Sequence, residues 1–175
     1  MIKDLLITPL DIIETPGGNV MHAVKNDSPG YFGFGEAYFS EIEYKMIKAW
    51  KRHREMTLNL VVPHGEVRFI LYDDRHVERI KFQEIIISKN NYFRLTIPPL
   101  IWLGFQGLSK NNSIVLNIAN IHHSPDEADN KNIDESNLLN NITYKTKKID
   151  DKEYNVVVIM VESFGMPILK YNSKE

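Results

Sequence analysis

From Gly33 to Arg75 the chain reads GFGEAYFSEIEYKMIKAWKRHREMTLNLVVPHGEVRFILYDDR. Its second half alternates: Leu58, Leu60 and Val62 interleave with Thr57, Asn59 and Val61, and Val67, Phe69 and Leu71 interleave with Glu66, Arg68 and Ile70. A period of two marks half-buried strands, because successive side chains point to opposite faces. Pro63-His64-Gly65 joins the two runs with a fixed φ followed by a residue free to take positive φ, so the pair is expected to form a hairpin.

Working outward, Glu84–Ser88 and Tyr92–Ile97 flank the turn residues Lys89-Asn90-Asn91, and Ile114–Ile118 is a further short strand. Short strands spaced by Gly, Pro and Asn turns, with no long stretch of 3.6-residue periodicity, predict an all-β sandwich or barrel. After His123 the composition changes. Ser124–Lys152 is rich in Asp, Asn and Lys and offers little apolar surface to bury, so residues 1–130 are read as the domain and 131–175 as an irregular, partly mobile extension. Within the extension, Tyr154–Val161 (YNVVVIMV) reads as a final strand. It either completes the sheet, packs on a second subunit or begins another domain.

The 175 residues are enough for one core, and 43% hydrophobic content is ordinary for a globular protein. The absence of cysteine excludes disulfides, thiolate catalysis and cysteine-rich zinc sites. A formal charge of -2, from 21 basic and 23 acidic residues, argues against a nucleic-acid partner. Lys3 and Asp4 interrupt the first apolar residues, and the run Val156–Val161 falls far short of the about 20 residues that cross a bilayer. The expectation is a cytoplasmic protein with no membrane partner. Glycines at Gly17-Gly18 and Gly33-Phe34-Gly35 lack the lysine and third glycine of a phosphate loop.

Histidine is the side chain whose ordinary pKa suits a general base near neutral pH, and His53 stands among Lys48, Lys51, Arg52 and Arg54. Cations there favour the neutral imidazole and supply charge for an enolate oxygen or a diphosphate. The alternative is a solvated basic loop. Trp50 and Trp102 have faces broad enough to stack on a nucleotide base or sugar ring, or to serve as core. His53-Arg54-Glu55 has no matching histidine between Pro98 and Gly107, so no metal and no other cofactor is expected.

Taken with Arg94–Phe105 (RLTIPPLIWLGF) and Leu116–Ala128 (LNIANIHHSPDEA), the opening stretch resembles the sugar-nucleotide branch of the cupins, specifically the dTDP-4-dehydrorhamnose 3,5-epimerase family, over residues 5–130. The resemblance implies a cupin-type double-stranded β-helix, or jelly roll, and a homodimer. It also implies an isomerase of deoxysugar and surface-polysaccharide biosynthesis that epimerises a dTDP-linked 4-keto-6-deoxyhexose by removing a proton beside the keto group. A 3,4-ketoisomerase, or a non-catalytic sugar-nucleotide-binding cupin, is the alternative.

By the same resemblance, Ala49-Trp50-Lys51-Arg52-His53 takes the place of the family's Arg-Gly-x-His segment, which makes His53 the base, with Asp73 of Asp73-Asp74-Arg75 orienting it and Gly65 as the glycine between the strands. Glu36 and Tyr38, on one face by parity, fall where family members reach a ligand. Lys51, Arg52, Asn59, Arg68 and Trp102 complete the expected substrate-binding set. The chain also departs from the pattern. Leu100 and Leu103 replace the glycine and histidine of the Pro-Pro-Gly-x-x-His-Gly-Phe turn, Leu116 or a neighbour replaces the tyrosine acid, and no match is found for the carboxylate that pairs with the base. His123, or His122, is the expected stand-in for the acid.

Overall fold

The computed structural model describes residues 2–76, 81–131, 144–149 and 152–157, in two compact units, Met1–Asn130 and Lys131–Glu175. Among its described residues the first unit contains twelve strands: β1 (Leu6–Pro9), β2 (Ile12–Ile13), β3 (Val20–Met21), β4 (Glu36–Ile42), β5 (Ile47–His53), β6 (Leu58–His64), β7 (Glu66–Asp73), β8 (Lys81–Ser88), β9 (Phe93–Ile97), β10 (Trp102–Gly107), β11 (Ser113–Ala119) and β12 (Ala128–Asn130). Apart from the small β2-β3 pair, they form two five-stranded antiparallel sheets, ordered β1-β9-β6-β11-β4 and β12-β5-β10-β7-β8. This is the all-β jelly roll anticipated above.

The two alternating runs are strands, but they do not pair. β6 lies in the first sheet and β7 in the second, so the expected hairpin at Gly65 is instead a corner where the chain changes layers. Gly65 takes φ of 77°, and a Cβ there would also strike Ser113, whose hydroxyl accepts from the Glu66 N–H at 3.2 Å and donates to the Glu66 carbonyl at 3.0 Å. Only glycine satisfies both conditions. β8 and β9, joined by the Lys89-Asn90-Asn91 turn, likewise fall in different sheets.

The core lies between the inner faces: Leu58, Leu60 and Val62 of β6 and Val115 and Ala119 of β11 face Val67, Phe69 and Leu71 of β7 and Leu103 of β10. These residues fix the inward parity of the strands paired with them, because directly paired residues share a face. In the second unit, β13 (Tyr144–Ile149) and β14 (Lys152–Val157) pair antiparallel in a sheet of their own. The predicted final strand coincides with β14 over Tyr154–Val157, and its end at Val161 lies outside the described residues.

Candidate active site

The segment that carries His53 is strand β5, not a solvated loop. Leu103 faces the core and pairs with Lys51, so parity turns Lys51 and His53 inward and Trp50 and Arg52 outward. Lys51 is exposed, whereas His53 is 6% exposed.

What meets His53 is Glu127. The chain leaves β11, runs through exposed His122 and His123, and makes a 3-10 turn at Pro125–Glu127 before β12 pairs with β5 in the register Ala128↔His53. That turn brings Glu127 Oε2 onto His53 Nδ1 in a hydrogen bond. The other oxygen, Oε1, accepts the backbone N–H groups of Arg54, Glu55 and Met56 at 3.0, 3.0 and 2.9 Å. Burial alone would push the Glu127 carboxyl up, but the hydrogen bonds from His53 and from the Glu55 and Met56 N–H groups outweigh it and hold it below the ordinary 4.5. An ionised carboxylate accepts only, so Nδ1 of His53 is the donor in this hydrogen bond and Nε2 is the ring nitrogen left to exchange a proton with a substrate. That is the arrangement a general base requires.

The strap bearing Glu127 is held from outside. Arg52 donates to Asp129 at 2.7 Å and lies 3.3 Å from Asp74, Arg54 donates to Asp129 at 2.6 Å, and the Arg52 guanidinium stacks over Trp102 at 4.5 Å. Trp102 is 2% exposed and donates its indole N–H to Asp74 at 3.0 Å. Arg52 and Trp102, expected to bind substrate, therefore lie on the face opposite His53 and are engaged with each other and with the strap.

Three further expectations change. Asp73, expected to orient His53, gives both oxygens to Arg75, at 2.9 Å each. Asn59 and Arg68 were expected to line the interior. Asn59 alternates with the core residues Leu58 and Leu60 and so faces away, accepting from Thr96 at 2.8 Å and donating to the Gly30 carbonyl at 3.3 Å. Arg68 alternates with Val67 and Phe69 and lies 3.4 Å from Glu84. Glu36 and Tyr38 do face inward, since they pair with Ala119 and Asn117. Leu116, aligned with the missing tyrosine, points away from the interior, and its inward neighbour is Asn117. His123, the expected acid, is exposed.

Glu127 escaped the sequence reading because it sits in a polar run 74 residues from His53. Ser124-Pro125-Asp126-Glu127 is a turn-initiating pattern, and it was the available hint that this stretch is ordered.

No family model matches the sequence. A probable low-salt glycan biosynthesis epimerase of Haloferax volcanii is 25% identical over 120 residues, covering 66% of this chain and 77% of the relative. Among solved structures, a dTDP-sugar isomerase of Desulfovibrio desulfuricans superposes with a TM-score of 0.73 at 34% identity, over 76% of this chain and 87% of that one. A dTDP-4-dehydrorhamnose 3,5-epimerase of Bacillus anthracis with TDP and PPi bound superposes at 0.67, with 17% identity over 77% and 82% of the two chains. A sugar 3,4-ketoisomerase of Thermoanaerobacterium thermosaccharolyticum in complex with TDP superposes at 0.63, with 16% identity over 77% and 92%.

Proposed function

This chain belongs to the dTDP-sugar isomerase family of cupins, and from that membership we propose that it is a nucleotide-sugar epimerase or isomerase of deoxysugar and polysaccharide biosynthesis, acting on a dTDP-linked 4-keto-6-deoxyhexose. The carrying observation is the His53–Glu127 pair, a buried imidazole whose Nδ1 is fixed by an ionised carboxylate. Carbon next to a ketone loses its proton when a base of suitable pKa stands beside it and the developing oxyanion meets positive charge. His53 Nε2 takes the proton. Lys51, on the same face of β5, supplies the charge. Glu36 and Tyr38 contact the substrate from the facing sheet.

A second reading, a 3,4-ketoisomerase, is favoured by Asn117. Epimerisation returns a proton to the opposite face of the enolate and needs an acid there, whereas a carbonyl shift between neighbouring carbons can be carried by one base working on one face. At the place of the missing tyrosine, the side chain that β11 turns inward is the amide of Asn117, which is not an acid. A homodimer is also proposed. β4 is an edge strand whose outward Phe39 is 69% exposed, and the segment leading into it exposes Phe32 at 71% and Phe34 at 67%, apolar side chains suited to a second copy.

Product analysis by NMR after incubation with dTDP-4-keto-6-deoxyglucose tests the reading. Inversion at C3 or C5 supports the epimerase, migration of the carbonyl from C4 to C3 supports the ketoisomerase, and an unchanged sugar contradicts both.

A further inference from the structure

Asn117 is 2% exposed, and neither its Oδ1 nor its Nδ2 has a hydrogen-bond partner among the described residues. Buried amides are almost always paired, because an orphan polar group loses its water without compensation. Asn59 shows the usual outcome in this same sheet, with Thr96 and Gly30 satisfying both ends of its amide. The difference is the face. Asn59 points away from the interior, whereas Asn117 stands between the core residues Val115 and Ala119 and pairs across the sheet with core Leu60, so it points inward. Its other neighbour, Tyr38, is 43% exposed on the edge strand.

An amide presents N–H donors beside a carbonyl acceptor. Its complement is an acceptor next to a donor, and two groups of a dTDP-linked keto sugar have that pattern: a ketone with its neighbouring hydroxyl, and the carbonyl and N–H of thymine. We propose that Asn117 is a substrate-binding residue that donates to the keto oxygen and accepts from the adjacent hydroxyl of the hexose. The assignment rests on the proposed function. The hexose is favoured over the base because β11 lies in the sheet opposite β5, whose inward face carries His53 and Lys51, the groups that act at the keto centre. An amide there fixes the oxygen without giving up a proton, so it selects for the hydroxyketone without acting as the acid.

Isothermal titration of TDP and of dTDP-4-keto-6-deoxyglucose tests this, in a His53→Asn background that prevents turnover, with and without Asn117→Leu. The expected result is a keto-sugar Kd weakened roughly tenfold or more by Asn117→Leu, the scale of hydrogen bonds replaced by a buried mismatch, with the TDP Kd unchanged. The ligand-free Asn117→Leu protein is also expected to melt at a higher temperature, because it no longer buries an orphan amide. Equal weakening for both ligands would assign Asn117 to thymine and overturn the proposal. Unchanged affinity for both would overturn it while leaving the proposed function standing, and failure of the parent to bind either ligand would overturn both. A lower melting temperature for Asn117→Leu would mark the amide as structural and count against the proposal. Should the leucine variant fail to fold, Asn117→Ala gives the same ligand comparison.

Discussion

Glu127 reaches across 74 residues of sequence to hold His53 Nδ1, and with its second oxygen it gathers the N–H groups of the three residues that follow that histidine. One carboxylate thus sets both the tautomer of the imidazole and the path of the chain leaving β5.

Glu127→Gln is expected to lower the rate of proton abstraction roughly 10²- to 10⁴-fold, because an amide can present a donor to Nδ1 and favour the wrong tautomer. Binding of TDP should be nearly unaffected. Steady-state kinetics alongside TDP titration checks this.

The same pair makes stability depend on pH. The Glu127 carboxyl is held below its ordinary value of 4.5 in the folded protein, so its contribution is full above that value and is lost as pH falls through the folded one. The difference in melting temperature between the parent and Glu127→Gln should shrink as pH is lowered from about 6 to about 3. Thermal melts across that range give the answer, and a constant difference would contradict the assignment.

Asp73→Asn separates structure from chemistry. Asp73 is buried and ties down Arg75, and the hydrogen bonds from Arg75 hold its carboxyl low against the opposing effect of burial. The substitution should cost about 1–3 kcal/mol of stability at neutral pH and leave kcat within about twofold, since no step is assigned to it. A collapse of kcat in a folded variant would return Asp73 to the site.

Asp129→Ala tests the strap. Asp129 joins Arg52 and Arg54 beside Glu127, and its loss should reduce kcat roughly tenfold or less with little change in KM, as expected for a residue that positions another. Raising the salt concentration should move the parent toward the variant, because partly exposed ion pairs are screened.

Strands β6 and β7 were legible because each has one face in the core, which forces a period of two. Their placement in different sheets was not, since Pro63-His64-Gly65 specifies a sharp change of direction without saying whether the chain returns to its own layer or crosses to the other. The residue against which this corner packs is Ser113, distant in sequence. His53 was legible from residue type and family resemblance. The roles assigned around it went astray where Ile47–His53 was not read as a strand: strand parity divides Lys51 and His53 from Trp50 and Arg52, and it would have moved Arg52 to the outer face. Glu127 was hidden by composition, because a carboxylate in an acidic, Asn-rich run looks like solvated loop until the turn at Pro125 folds it inward. Asn117 was invisible for a different reason: an unsatisfied amide is a property of its surroundings.

The most direct test of the central claim follows the C3 and C5 proton signals of dTDP-4-keto-6-deoxyglucose in deuterated buffer, with the parent protein and with His53→Asn. Loss of at least one signal with the parent, and retention of both with His53→Asn while TDP still binds, is the predicted result. Equal signal loss with both proteins would contradict the assignment of His53 as the base.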